Sequence, residues 1–169
     1  CHSPMPKGFS SDVRMGIDEF PYYVQSVEQT RKKYEGNFEV LLGIESDWFP
    51  GMEDWLIELH EKAHFHYIIG SVHPFVQEYK TQFNNGNPLE FQRGYFNHLA
   101  DAAESRLFDC ISHPDVVKNM FPLEWDFSEL KDTVDDCLNR IKDCEIAMEL
   151  NTSGSVSYTH LRAHETIVH

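Results

Sequence analysis

Basic residues are scarce in this chain: 14 Lys and Arg stand against 28 Asp and Glu, for a formal charge of −14. No Lys/Arg-rich block relieves that imbalance. Such a surface repels a phosphate backbone unless bound cations intervene, so no nucleic-acid partner is expected. Long apolar runs are missing too. No stretch approaches the roughly 20 apolar residues that span a bilayer, and no basic segment leads into an apolar run as in a secretory leader. The expectation is therefore no membrane partner. The four cysteines, Cys1, Cys110, Cys137 and Cys144, have no CxxC spacing and read as reduced, structural thiols of a cytoplasmic protein. What is present suffices for one packed domain: 169 residues, 41% of them apolar and 13% aromatic.

The pattern alternates. Residues 18–34 predict a helix capped by Asp18, with Phe20, Val24, Val27 and Tyr34 at helical spacing and Gly36 as the stop. Residues 38–44 (FEVLLGI) predict a buried strand, and 52–63 a second helix with Met52, Trp55, Leu56 and Leu59 on one face. Residues 66–72 (HYIIGSV) repeat the strand, and 88–107 a long helix opened by Pro88. Residues 108–112 (FDCIS) form a short strand, 126–143 a helix capped by Asp126, and 145–150 (EIAMEL) a fourth strand. Strands separated by helices imply parallel βα units and an α/β fold. Four units do not close a barrel, so the pattern fits either an open doubly wound sheet or part of a barrel.

Three metal-capable residues follow strand ends directly: Glu45 after LLGI, His73 after IIGSV and His113 after FDCIS. Parallel strands gather their C-terminal ends on one face, where α/β enzymes build their sites. Two imidazoles and a carboxylate converging there suit a borderline cation such as zinc. Singly, each has a plainer reading, as a hydrogen-bonded structural histidine or a helix-capping glutamate, and at this point both readings stand. His60 and His98 fall within helices and read as boundary and structural residues. His64 and His66 flank the opposite end of a strand, so their H-x-H spacing is not taken as a ligand pair. Arg14 and Lys118 sit in loops near the same face and suit a phosphate ester, equally well a solvated surface. Asn151 and Ser153 follow the fourth strand and read either as pocket lining or as turn residues.

The segments HSPMP, SDVRM, GIESDWFPG, IIGSVH, FDCISHPDVVK and AMELNTSG, in that order, resemble histidinol-phosphatases of the PHP (polymerase and histidinol phosphatase) family over residues 1–155. The resemblance implies a distorted (β/α) barrel, here a partial one with parallel strands. It implies two or three divalent metal ions (Zn, Mn or Fe) and a small phosphorylated substrate. The implied activity is phosphomonoester hydrolysis by water activated at the metals, with L-histidinol phosphate in histidine biosynthesis as the first choice. Another small phosphate ester, or a non-catalytic PHP module, is the alternative. Carried over by motif, His2, His73 and His113 are metal ligands, and Glu45 bridges two metals and positions the hydroxide. Arg14 and Lys118, by their position alone, are the candidate substrate contacts. His2 matches the histidine of the family's T-D-H segment, although Cys1 stands where the family has Asp. The family's opening H-x-H and closing S-D-x-H segments have no counterpart here, so the expectation is a piece holding about half of the ligand set. From Val156 the residues VSYTHLRAHET resemble one reading frame of a common transposase-type sequencing adapter. That assigns 1–155 to a partial PHP domain and 156–169, with His160, His164 and His169, to a non-native tail.

Overall fold

A computed structural model describes residues 2–9 and 14–150. Its elements are α1 (Phe20–Lys33), β1 (Gly43–Asp47), α2 (Glu53–His60), β2 (Tyr67–Ser71), α3 (Gln77–Phe83), α4 (Pro88–Glu104), β3 (Cys110–Ile111), a 3-10 turn (Val116–Met120), α5 (Phe127–Asp143) and β4 (Ala147–Met148). All four strands are parallel and lie in chain order β1-β2-β3-β4. A doubly wound sheet reverses its strand order at a switch point. This sheet does not, and its order is that of one arc of a barrel. The α/β reading therefore holds, with a helix in every crossover as parallel strands require.

The two long helices begin where the sequence places them. Asn87 caps α4 by accepting from the Leu89 and Glu90 amides at 3.1 and 3.3 Å, with Pro88 in the first turn. Asp126 caps α5 by accepting from the Ser128 amide at 2.8 Å. The helices pack on each other, and α4 also covers β2 and β3. Their inward faces, Phe91, Tyr95, Leu99 and Ala103 from α4 with Leu130, Cys137 and Ile141 from α5, join Leu56, Tyr79 and Ile111 in one core. Truncating a fully buried residue such as Leu99 to Ala costs about 2–5 kcal/mol, through lost burial and the cavity left behind. Gly70 is required in β2, because a Cβ there would stand 2.4 Å from the Phe108 ring. Cys110, Cys137 and Cys144 are free thiols. Among the described residues no helix is long and apolar enough to cross a membrane.

Several expectations are corrected. The first strand is Gly43–Asp47, not 38–44. Phe38 and Leu41 are more than half exposed. Phe38 stacks on Tyr34 at 4.8 Å, and Arg31 donates to the Val40 carbonyl at 2.8 Å, so this segment lies along α1 instead of joining the sheet. Helix α1 starts at Phe20 behind Glu19, whose carboxylate accepts from the Gly16 amide at 2.6 Å; Asp18 is not its cap. Helix α4 stops at Glu104 because the chain turns through a left-handed Arg106. Glu145 is likewise left-handed (φ 55°) and ends α5 instead of opening a strand. The short α3 and the 3-10 turn, too brief to show a period, were not expected.

Candidate metal centre

Alternation along β1 puts Glu45 and Asp47 on one face of the sheet, and register pairs Asp47 with Ser71 of β2. Glu45 lies mid-strand opposite Ile69, not at the strand's end as expected. His73 and His113 each stand two residues beyond their strands, β2 and β3. His113 is held through its backbone: its amide donates to Glu149 Oε2 at 2.7 Å, and its carbonyl accepts from Tyr95 Oη at 3.4 Å. His2 arrives from outside the sheet. Residues 2–3 pair along the free edge of β1, and the Ser3 amide donates to the Glu45 carbonyl at 2.7 Å.

These placements bring all four expected ligands together. Glu45 Oε1 lies 3.6 Å from His73 Nε2 and 3.6 Å from His113 Nε2, while Oε2 lies 3.7 Å from His2 Nε2. The His2 and His73 rings, and the His73 and His113 rings, are each 5.1 Å apart. His2, Glu45 and His73 offer ligand atoms all within 4.8 Å of one another. The imidazole–carboxylate gaps exceed an ordinary N–H···O bond of about 2.7–3.2 Å. Two ligands each about 2.1 Å from a shared tetrahedral ion stand roughly 3.4 Å apart, so the spacing and the donor chemistry both fit a divalent cation.

Asp47 completes the cluster and is the residue that motif reading missed. Its Oδ1 lies 3.3 Å from His2 Nδ1 and 3.2 Å from His73 Nδ1, the latter off the line of an ideal hydrogen bond. Its Oδ2 accepts from Arg14 Nε. Asp47 is 2% exposed, and a buried acid survives ionised only with such partners. Burial pushes its carboxyl up, but His2, His73 and Arg14 outweigh that and hold it well below the usual carboxylate range. Glu45 is held still lower, chiefly by the facing His113 and His73 imidazoles. Burial pulls the His73 imidazole down, yet Asp47 and Glu45 raise it to about 9.

Ser71 and Ser112 form the floor. Ser71 Oγ donates to Glu45 Oε1 at 2.6 Å and lies 2.7 Å from Ser112 Oγ, which is 3.2 Å from His113 Nε2. An ionised carboxylate only accepts, so the proton of Ser71 goes to Glu45 and Ser112 must donate to Ser71. The signal for these residues was present: a serine two before His73, one immediately before His113, and an acid two after Glu45 in the same strand.

The expected cations sit differently from each other. Arg14 is buried against Asp47 and is neither a solvated cation nor a loop residue open to a ligand. Lys118 lies in the 3-10 turn, donates to Asp115 Oδ2 at 2.6 Å and stands 5.2 Å from the Trp125 ring centroid. Among the described residues the remaining histidines stay out of the cluster. His60 Nε2 is 2.9 Å from Ser46 Oγ, and burial lowers its ring to about 4. His98 Nδ1 meets Tyr79 Oη at 2.6 Å, and His66 Nδ1 accepts from the Leu42 amide at 3.3 Å before β2 begins. Cys1, Asn151, Ser153 and the whole of 156–169 lie outside the described residues.

A family model described as the PHP domain matches residues 1–153. A Deinococcus radiodurans protein named a probable histidinol-phosphatase is 29% identical over 163 residues, covering 90% of this chain. The chain spans 60% of that relative's length. Two solved structures share the fold. The HisK protein of Listeria monocytogenes, provisionally described as a histidinol phosphatase, has a TM-score of 0.73 at 19% identity, over 90% of this chain and 69% of that one. Histidinol phosphate phosphatase from Lactococcus lactis, solved with zinc, L-histidinol and phosphate, has a TM-score of 0.68 at 18% identity, over 88% of this chain and 59% of that one.

Proposed function

The chain belongs to the PHP-domain family, and from that premise we propose that it is part of a metal-dependent phosphomonoester hydrolase acting on L-histidinol phosphate. One observation carries the reading. His2, Glu45, His73 and His113, drawn from the β1 edge and three strands, converge with gaps of 3.6–3.7 Å between imidazole nitrogens and carboxylate oxygens. Histidines and a carboxylate at that spacing hold Zn, Mn or Fe, two or three ions in the complete enzyme. Glu45 has the disposition a bridging ligand needs, because Oε2 faces His2 while Oε1 faces His73 and His113. When bound, the ions would supply Lewis acidity to the phosphoryl group and to the attacking water. Glu45 would help to hold the ions and to orient the attacking water, with Ser71, which donates to its Oε1, fixing the carboxylate rotamer. Lys118 keeps the role of substrate cation, with Asp115 as the anion it exchanges for a phosphate.

The leaving group rests on the relatives: one is named a probable histidinol-phosphatase, and another was solved with L-histidinol and phosphate. That reading places the chain in histidine biosynthesis in the cytoplasm. The test is phosphate release from L-histidinol phosphate by the full-length gene product, assayed beside unrelated phosphomonoesters with and without chelator. Metal-dependent release favouring histidinol phosphate is expected. Equal rates on all esters would overturn the substrate, and activity that survives complete removal of metal would overturn the mechanism.

A further inference from the structure

Resting on the reading of the cluster as a cation site, we infer that Asp47 and Arg14 are a positioning pair that sets the ring orientation of His2 and His73. Arg14 then serves the metal site from behind and is not a substrate contact. Both imidazoles stand between the same two acids and face the same way. Their Nδ1 atoms lie 3.3 and 3.2 Å from Asp47 Oδ1, and their Nε2 atoms lie 3.7 and 3.6 Å from the two oxygens of Glu45. A carboxylate on Nδ1–H fixes the tautomer whose Nε2 lone pair is free for a metal, and it raises the basicity of that nitrogen. Here one carboxylate oxygen bonds the His2 ring and faces His73 Nδ1 at 3.2 Å, so a shift of Asp47 disturbs both rings at once.

Asp47 needs its own anchor to do so. Its second oxygen is taken by Arg14, whose side chain is only 3% exposed, as is that of Asp47. A buried ion pair of this kind adds little net stability over an apolar pair, because desolvation offsets the attraction. A purely structural pair would also have no reason to place its remaining oxygen on two imidazoles whose far nitrogens meet a second acid, Glu45. Each oxygen of Asp47 therefore has a separate duty, one toward the ligands and one toward the anchor.

The test uses this chain as it stands, with zinc as the probe. Zinc is titrated calorimetrically into the parent, Asp47→Asn, Arg14→Met and the double variant. The double variant removes both charges, so neither is left buried alone. Asp47→Asn and the double variant should bind about 10–100-fold more weakly than the parent. Arg14→Met should fall between. Long-range 15N–1H NMR of the zinc-loaded parent should show His2 and His73 protonated on Nδ1 and ligated through Nε2, and the double variant should lose that uniform pattern. A parent that binds no zinc would overturn the cation site itself. A parent that binds zinc while the double variant binds as tightly, with the same tautomers, would overturn the positioning role alone. Nδ1 ligation in the parent would also overturn it, even if every variant failed to fold.

Discussion

Replacing Gly70 with Ala should damage the molecule well beyond the size of one methyl group. Gly70 lies in β2 immediately before Ser71, opposite Ile111 of β3. An added Cβ would meet three carbons of the Phe108 ring at 2.4, 2.5 and 2.9 Å. Carbon contacts are comfortable at about 3.5–4.0 Å, so the ring must retreat by roughly 1 Å. Phe108 is 8% exposed and belongs to the main core, which leaves little room for that retreat. Overpacking of this kind costs about 1–3 kcal/mol, and a clash with three ring atoms belongs in the upper half of that range. For a domain of this size that corresponds to a fall of about 5–9 °C in the unfolding midpoint. Because β2 carries Ser71 and leads to His73, zinc affinity should fall as well. Urea unfolding of Gly70→Ala and of Gly70→Ala/Phe108→Leu is the assay, and the smaller side chain should recover part of the loss. A Gly70→Ala protein within about 0.5 kcal/mol of the parent, or a double variant with no recovery, would refute the reasoning.

Three further outcomes are expected. His60 has a folded-state pKa lowered to about 4, so the unfolded chain takes up this proton first and stability should fall as pH drops from about 6.5 toward 4. Discounted for partial exposure, the loss is about 1–2 kcal/mol; His60→Gln should flatten the urea-midpoint profile across that window, and an unchanged profile would contradict the assignment. Arg106→Gly and Glu145→Gly should each raise the unfolding free energy in urea by about 0.5–1 kcal/mol, since both residues hold left-handed backbone that glycine adopts without strain; a lowered value would show that their side chains matter more. Asp126→Ala should cost about 1 kcal/mol in urea unfolding by removing the cap of α5, and no change would mean that Ser128 or solvent replaces it.

Much of this was legible because the signals are local. Pro88 and Asp126 mark the starts of the two long helices, and the strand–helix alternation implies a parallel sheet before any coordinate is known. The run FEVLLGI misled because apolar content alone does not say what covers it. Phe38 and Leu41 keep much of their surface in solvent beside α1, and the ladder begins only where Tyr67 meets Gly43. Asp47 was passed over for a different reason. An acid in a strand ordinarily points to water, and only partners 33 and 45 residues away in sequence, Arg14 and His2, turn it into a buried member of the site. The same contact buries Arg14, which the sequence alone does not show. Glu45, His73 and His113 were singled out together as residues at strand ends; the histidines stand two residues beyond β2 and β3, whereas Glu45 lies within β1, which runs two residues further.

Zinc anomalous diffraction from crystals of the chain grown with the metal tests the central claim most directly. The account predicts an anomalous peak enclosed by His2 Nε2, His73 Nε2 and Glu45, with any second ion on the His113 side of the same carboxylate. A peak at the His64–His66 pair, whose rings lie 5.4 Å apart, with none at the strand ends would contradict it.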